Sequence, residues 1–199
     1  MIACFKNYFL GKARFSEDEL NSITAATHVL YLKKGEHLYN EGSIWPYDGI
    51  VCKGLLYKHT THISGNTAVT GFASENYWVG DRSSSLTGKA IAYTCTALED
   101  TTIACLEIEA LEQLRIQIPA LNELCDNLMQ KYMASMQKRI SDNMILSDEE
   151  RYAQFLDTRT GLNLRVPNIL IASYLNIRPE NMDAICNGIP WPQQKMRTT

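Results

Sequence analysis

The alternation of apolar and polar positions changes character along the chain. From about Leu30 to about Cys105, apolar residues alternate with polar ones, and eight of the eleven glycines fall in this part. Short period-two strands separated by glycine turns are typical of a β-sandwich or jelly roll, because glycine supplies the positive φ that tight turns need. We therefore predict an antiparallel β-roll, with its later strands at 50–52, 55–59, 68–72, 77–79, 93–98 and 102–106.

Segments with helical features flank the predicted roll. Before it, Ser16 and Glu19 have the spacing of a capping box, which predicts a short helix that ends near Ala26. After it, residues 119–144 contain no glycine and no internal proline. Their apolar residues recur every three or four positions, which predicts one long helix.

The apolar face of the long helix is wider than the seam of a coiled coil, and it has two interpretations. Either one side lies on the β-roll while the other contacts the same helix of a second copy, or the helix is wholly buried on its own domain. We favour the first interpretation, a homodimer. Its contacts are expected at Leu121, Cys125, Leu128, Tyr132 and Met136.

The end of the chain is predicted to form a small helical domain. Ser147 and Glu150 make a second capping box, Pro167 suits the first turn of another helix, and Pro179 begins a further helix after a turn at Asn176. The predicted domains are 1–118 for the β-roll with its N-terminal helix, 119–146 for the long helix and 147–199 for the C-terminal domain.

The distribution of charge and the spacing of the cysteines indicate which binding sites and which location to expect. Residues 151–199 carry six bases and three acids, whereas the chain as a whole has a net charge of −3, so a mildly basic end follows an acidic body. The six cysteines include no C-x-x-C pair, which argues against zinc and disulfides. Because no apolar run is long enough to cross a bilayer and the first residues lack a signal-peptide pattern, we expect a cytoplasmic protein without a membrane partner.

Several short strings resemble, in their order and spacing, the landmarks of one family. They are Lys34-Gly35-Glu36, Lys53-Gly54-Leu55-Leu56-Tyr57, Gly80-Asp81, Leu86-Thr87-Gly88-Lys89, Ala97-Leu98-Glu99-Asp100, Glu149-Glu150-Arg151-Tyr152 and Ile171-Ala172-Ser173-Tyr174-Leu175. Together they resemble bacterial Crp/Fnr transcription regulators, especially those of Bacteroidetes-type bacteria. The resemblance implies an α+β fold with an N-terminal β-roll of the cyclic nucleotide-binding type, a long dimerisation helix and a C-terminal winged-helix or helix-turn-helix domain. It also implies that an effector in the roll reorients the DNA-reading helices of a dimer.

The segment that binds the cyclic phosphate in such regulators is altered here. The relatives have a Gly-Glu pair at the ribose and an arginine followed by Ser or Thr at the phosphate, whereas this chain has Gly80-Asp81 and, near the arginine position, Ile91. A buried phosphate without a cation is disfavoured, so we expect no tight binding of cAMP or cGMP unless Arg82 or Lys89 substitutes. The segment is then either a pocket for an unknown small-molecule effector or a capped turn without a ligand. The predicted pocket residues are Gly80, Asp81, Arg82, Ser83, Ser84, Ile91 and Thr94.

The predicted recognition helix has lost basic residues. The family's basic positions hold Ala184, Cys186 and Asn187, and Asp183 adds repulsion toward a duplex. Four polar residues remain as predicted DNA contacts: Arg178, Glu180, Asn181 and Asn187. We expect DNA binding that is weak or needs a precise site.

Other kinds of site find little support in the sequence. We expect no enzyme and no cofactor, because no Walker, dinucleotide-binding or nucleophile–base pattern is present. Cys4 alone cannot hold an iron–sulfur cluster. His59 and His62 resemble a metal pair, but on a strand they point to opposite faces, and we interpret them as exposed turn residues.

Two functional hypotheses follow. The leading one is a homodimeric, DNA-binding transcription regulator that responds to an effector other than cAMP. Its rival is a dimeric small-molecule sensor or interaction module of the same fold that no longer binds DNA.

Overall fold

The computed structural model of the protein describes residues 2–61, 65, 67–81, 84 and 87–188, and it includes the side chains from residue 5 onward. Within it the chain divides into two compact units, Met1–Gln137 and Lys138–Thr199. This division falls inside the long helix. The domain limits expected from the sequence, with a separate helix at 119–146, stay a prediction.

The strands of the first unit form the predicted antiparallel roll, and the α+β fold class is confirmed. In one four-stranded sheet the order is β1-β8-β3-β6, and in the other it is β2-β7-β4-β5. The described strands are β1 (His28–Leu32), β2 (His37–Tyr39), β3 (Tyr47–Lys53), β4 (Leu56–Thr61), β5 (Thr67–Ala73), β6 (Trp78–Gly80), β7 (Thr94–Ala97) and β8 (Thr101–Glu107).

Pairing between strands that are distant in sequence closes the roll. Strand β8 lies between β1 and β3, so that Cys105 is opposite His28 on one side and opposite Gly49 on the other. Glycine is needed at position 49 because a Cβ there would lie 2.8 Å from the Cβ of Cys105. Both sheets contribute to an apolar core that includes Leu38, Val51, Leu56, Cys95 and Ile103.

A second apolar core lies on the other face of the β1–β8–β3–β6 sheet. Because side chains alternate along a strand, Ile50 and Leu106 point to this face while Val51 and Cys105 point into the roll. Helices pack over Ile50 and Leu106. The described helices that begin in the first unit are α1 (Ile2–Leu10), α2 (Glu17–Ala25), α3 (Ile108–Gln117) and α4 (Pro119–Ile145).

Helix α1 was not predicted from the sequence. Phe5 and Phe9 are buried with their ring centroids 4.8 Å apart, and the indole N–H of Trp78 donates to the hydroxyl of Tyr8 over 2.8 Å. Aromatic residues at positions 5, 8 and 9 have the spacing of one helix face, so a usable signal was present.

Both predicted capping boxes are confirmed. The amide of Glu19 donates to the hydroxyl of Ser16 over 3.2 Å, and the amide of Ser16 donates to the carboxylate of Glu19 over 2.7 Å. The same reciprocal pair joins Ser147 and Glu150. Each box satisfies backbone N–H groups that have no partner inside the helix, which is why these helices begin where they do.

The second unit is helical, as predicted. Asn176 has φ 54° and ψ 43°, the left-handed turn expected between two helices. Pro167 was expected in the first turn of its helix, but its backbone is extended, so it is the N-cap residue just before that turn. The described elements are α5 (Asp148–Thr158), a 3-10 turn (Leu162–Leu164), α6 (Asn168–Leu175) and α7 (Pro179–Gly188). A wing after α7 would fall in 189–199, outside the described residues.

Gly54 provides a test of the closed roll. It has φ +101°, and a Cβ there would lie 2.7 Å from the Cα of Thr101 and 2.8 Å from the Asp100 carbonyl oxygen. Gly42 also has a positive φ, +84°, but nothing lies within 4 Å of its added Cβ. We expect Gly42→Ala to cost about 1–2 kcal/mol from backbone strain alone.

Gly54→Ala should cost about 1–3 kcal/mol more than Gly42→Ala, because a steric clash adds to the strain. Urea unfolding of the two variants and the parent measures the difference. Equal losses of stability in the two variants would contradict the close approach of Gly54 to β8.

Candidate functional site

A cavity of about 340 Å³ lies in the first unit between the roll and helix α4. This volume is in the range of small-molecule pockets. The residues that line it are Asp48, Lys58, Trp78, Gly80, Asp81 and Tyr93 from the roll, and Cys125, Leu128, Met129 and Tyr132 from α4.

Lys58 places a cation in this cavity. Its ammonium group donates to the carbonyl oxygen of Gly80 over 3.1 Å and lies 5.2 Å from the centroid of the Tyr93 ring. Burial lowers the pKa of Lys58, while the neighbouring Cys95, Asp48 and Asp81 act in the opposite direction. The desolvation of this charge is therefore only partly offset.

Lys58 is not among the predicted pocket residues, although strand periodicity contained the signal. Lys58 is two residues from the buried Leu56 on β4, and both pair with β7 at positions that point into the roll. Side chains two residues apart share a face of a strand, so the inward position of Leu56 implies an inward position for Lys58.

Asp81 holds the turn that follows β6. Its carboxylate accepts from the amide of Ser84 over 3.0 Å, and the Ser84 hydroxyl donates to the carbonyl oxygen of Lys89. Burial raises the pKa of the Tyr93 hydroxyl, and the hydrogen-bonded Asp81 carboxylate beside it raises that pKa further. Asp81 thus links the turn to the wall of the cavity.

Helix α4 is buried near its start and exposed further on. Leu121, Leu124 and Cys125 pack in the core of the first unit, so Leu121 and Cys125 are core residues of their own unit and not the dimer contacts that were expected. The exposed apolar residues, 44% to 81% exposed, are Met129, Tyr132, Met133, Ile140, Met144 and Ile145. The interpretation in which this helix is wholly buried on its own domain is therefore wrong.

In the second unit, a buried arginine connects three segments. The guanidinium group of Arg151 donates to the carbonyl oxygens of Asn143, over 3.3 Å, and of Asn176, over 3.3 Å. It also pairs with the carboxylate of Asp148. Asp148 in turn accepts from the side-chain amide of Asn181 over 2.8 Å. This network ties the end of α4, the turn before α7 and α7 itself to the start of α5.

The predicted DNA contacts lie in different environments. Arg178, Glu180 and Asn187 are exposed, whereas Asn181 is half-buried and engaged with Asp148. Asp183 is exposed beside them, and α7 itself contains no Lys or Arg. The four residues stay a prediction for DNA contact.

The roll is similar to one family of known domains. Residues 29–117, a little less than half of the chain, match the model of the cyclic nucleotide-binding domain. The match is to the family as a whole and not to a protein with a particular ligand.

The chain is also similar to transcription regulators. It is 28% identical over 125 residues to the transcriptional activator protein Anr of Pseudomonas protegens, a match that covers 63% of this chain and 50% of Anr. The matched segment thus spans about half the length of that relative. This similarity supports the Crp/Fnr resemblance.

Solved structures of the same fold cover most of the chain. FixK2 from Bradyrhizobium japonicum matches with a TM-score of 0.71 and 17% identity, over 81% of this chain and 83% of FixK2. A protein described as a Crp/Fnr-family transcriptional regulator, from Eubacterium rectale, matches with a TM-score of 0.65 and 17% identity, over 87% of this chain and 82% of that one. At these identities the likeness concerns the fold.

Within the roll, the predicted pocket residues are only partly brought together. Gly80 and Asp81 line the cavity, and Ser84 is buried three residues after Asp81. Ile91 lies in the apolar core, and the hydroxyl of Thr94 accepts from the amide of Glu41 over 3.1 Å. Two other predicted members, Arg82 and Ser83, lie outside the described residues. The set as an effector site stays a prediction.

His59 is not the exposed turn residue that the sequence predicted. His59 lies within strand β4 rather than in a turn, is half-buried, and its Nε2 atom is 2.9 Å from the hydroxyl oxygen of Thr96. His62 lies outside the described residues. Within the described ranges there is no group of three metal-binding side chains, and no helix there is long and apolar enough to cross a bilayer.

Arg151→Met tests the network of the second unit. The change leaves several carbonyl oxygens and the Asp148 carboxylate without their donor, and we expect α5 and α7 to lose about 2 kcal/mol of protection against opening. Amide hydrogen exchange, followed peptide by peptide, measures this loss. The matched control is Arg178→Met, an exposed arginine whose loss should change protection by less than about 0.5 kcal/mol. Equal exchange in both variants would contradict the structural role of Arg151.

Proposed function

We propose that this chain is a homodimeric transcription regulator of the Crp/Fnr type, which binds DNA with its second unit and responds to an effector bound in the cavity of its roll. The proposal includes a cytoplasmic location, no catalytic activity, no cofactor and membership of the Bacteroidetes-type branch. The observation that carries it is that Met129 and Tyr132 line the cavity and also belong to the exposed apolar surface of α4.

The exposed apolar surface of α4 supports a helix-to-helix dimer. Apart from Ile145, its members recur at intervals of three and four residues, so they form one stripe along the helix. We call this the α4 stripe: the exposed Met129, Tyr132, Met133, Ile140 and Met144, with the half-buried Met136. At about 100° per residue, Met129, Met133 and Ile140 lie roughly a quarter to a third of a turn from Leu121, which packs in the core, whereas Tyr132 lies at the boundary between the two faces. One helix can therefore contact its own roll and a second copy at once.

Met129 and Tyr132 belong both to the cavity wall and to the α4 stripe, so effector binding can affect dimer formation directly. A ligand in the cavity contacts Met129 and Tyr132, and any change in their rotamers alters the packing of the α4 stripe. A ligand shifts a conformational equilibrium only by its difference in affinity for the two states. Contacts on the dimer stripe itself provide such a difference.

Weak DNA binding is the expected form of the DNA-reading activity. Helix α6, the turn at Asn176 and α7 have the order of a helix-turn-helix, in which the second helix enters the major groove. Arg178 is exposed for a phosphate contact and Glu180 for a cytosine amino group, but Asp183 is exposed on the same helix and repels the duplex. Anr, the relative matched in sequence, is a transcriptional activator, which supports the assignment.

A second candidate is a dimeric small-molecule sensor or interaction module that has lost DNA binding. The observation that favours it is Asn181, the residue best suited to read adenine, whose side-chain amide instead donates to Asp148. The roll, the cavity and the α4 stripe would serve this function equally well.

The dimer is tested by Met133→Glu. A carboxylate in an apolar helix interface must lose its hydration without gaining a partner, so we expect the dimer to dissociate to a monomer at micromolar concentration. Size-exclusion chromatography with light scattering gives the mass. The control is Asn127→Glu, an exposed position outside the α4 stripe, which should remain dimeric. A Met133→Glu variant that stays dimeric would rule out this interface.

DNA binding is tested by selection from random duplexes at about 0.15 M salt. We expect a two-fold symmetric site with half-sites one or more helical turns apart, and at least a several-fold loss of affinity in Arg178→Ala through a lost phosphate contact. The matched variant of opposite sign is Asp183→Asn, which removes a negative charge beside the duplex and should strengthen binding. No enriched site for the dimeric protein would favour the second candidate instead.

A further inference from the structure

Methionine is concentrated on the α4 stripe. Four of the seven methionines of the chain belong to it: Met129, Met133, Met136 and Met144. Three of these are exposed, and Met136 is half-buried. Among the described residues, the one methionine outside the stripe is Met182, which is 1% exposed. The exposed thioethers in the described part of the chain therefore lie on one surface, the surface proposed to form the dimer.

The described cysteines are less accessible to an oxidant than these methionines. A cysteine reacts with oxidants as its thiolate. Burial raises the pKa of Cys95 to about 12 and that of Cys105 to about 11, so both are thiols at neutral pH. Cys125 is also buried, and Cys52 and Cys186 are half-buried. Among the sulfur-containing side chains that the structure describes, the exposed ones are therefore methionines of the α4 stripe.

Oxidation changes the polarity of a methionine side chain. Hydrogen peroxide or an organic peroxide transfers one oxygen atom to the thioether sulfur: an S–O bond forms, the peroxide O–O bond breaks, and water or an alcohol leaves with the proton. The sulfur loses two electrons and the peroxide gains them. The sulfoxide that results is polar and accepts hydrogen bonds, whereas the thioether is apolar and a weak acceptor.

A dimer interface formed by the α4 stripe offers few donors for a sulfoxide. Tyr132 contributes the one hydroxyl group of the stripe, and the other members are methionine and isoleucine. In a two-fold dimer the stripe faces its own copy, so each sulfoxide occurs twice. A buried acceptor without a donor loses its hydration without compensation, which disfavours the dimer.

We propose that peroxides oxidise the methionines of the α4 stripe to sulfoxides and thereby dissociate the dimer, which makes the regulator responsive to oxidants. The inference rests on the proposed dimer and names a form of its regulation. Peroxide reaches the stripe in the free protomer, and the sulfoxides then oppose its return to the dimer. Because Met129 also lines the cavity, its oxidation changes the cavity wall as well.

Peroxide treatment of the full-length protein tests the proposal. Peptide mass spectrometry locates the sulfoxides, and analytical ultracentrifugation gives the dissociation constant of the dimer. We expect sulfoxides at Met129, Met133 and Met144 before the buried Met182, and a rise of about tenfold or more in the dissociation constant, the effect of one buried acceptor without a donor. Methionine sulfoxide reductases for both sulfoxide epimers should restore the dimer.

Dilution shows whether the dimer protects the stripe. Oxidation of Met133 should become faster as the protein is diluted through the dissociation constant, because more of the chain is then a free protomer. Met182, which is buried within its own unit, should oxidise at a rate that does not depend on protein concentration. Equal rates for Met133 at all concentrations would contradict a stripe that is covered in the dimer.

Leucine substitutions separate oxidation of the stripe from general damage. A variant with all four stripe methionines changed to leucine keeps a similar apolar volume and lacks the thioethers, so it should remain dimeric in peroxide. The control Met182→Leu should dissociate in peroxide as the parent does. Met133→Gln, which adds a polar group, should weaken the dimer without peroxide. Should the fourfold variant fail to fold, as judged by circular dichroism, Met133→Leu alone should still reduce the effect of peroxide.

The outcomes distinguish this inference from the proposed function. A parent protein that is monomeric before treatment would reject the proposed dimer, and the inference with it. A parent dimer that carries the stripe sulfoxides and stays dimeric would overturn the inference alone, as would a folded leucine variant that peroxide dissociates to the same extent as the parent.

Discussion

The packing of the first turns of α4 against the roll is the contact on which the other features depend. Leu121 is fully buried with Ile50 and Leu106 of the sheet, and complete burial of such a side chain contributes about 1.5–3 kcal/mol. Because a helix is rigid, this contact sets the rotation of the part of α4 that belongs to the first unit. It brings Met129 and Tyr132 to the edge of the cavity, and it leaves Met133 exposed.

Lys58 places a positive charge in the cavity of the roll. In a roll of this type an arginine binds a cyclic phosphate, but here the position near that arginine holds Ile91, which lies in the apolar core. Among the described residues, the cation that lines the cavity comes from a different strand, β4, and two carboxylates line the cavity with it.

The second unit uses polar contacts where the first uses apolar ones. Arg151 and Asp148 join the capping box of α5 to the turn at Asn176 and to Asn181 of α7. Removing one member of such a buried network costs more than any single surface contact, because the remaining groups lose their partners. Asn181 therefore contributes to the position of α7, and this structural use competes with its use in reading a base.

The sequence by itself determined the features that arise from neighbouring residues: the strands and turns of the roll, both capping boxes, the long helix and the left-handed turn at Asn176. These follow from periodicity and local hydrogen bonds, although the helical spacing of Phe5, Tyr8 and Phe9 went unused. Only the tertiary structure decided that Lys58 and Asp48 share a cavity, that Ile91 is a core residue and that Asn181 contacts Asp148. Each of these depends on side chains from distant segments meeting in space, which the register of the strands and the packing of the helices decide.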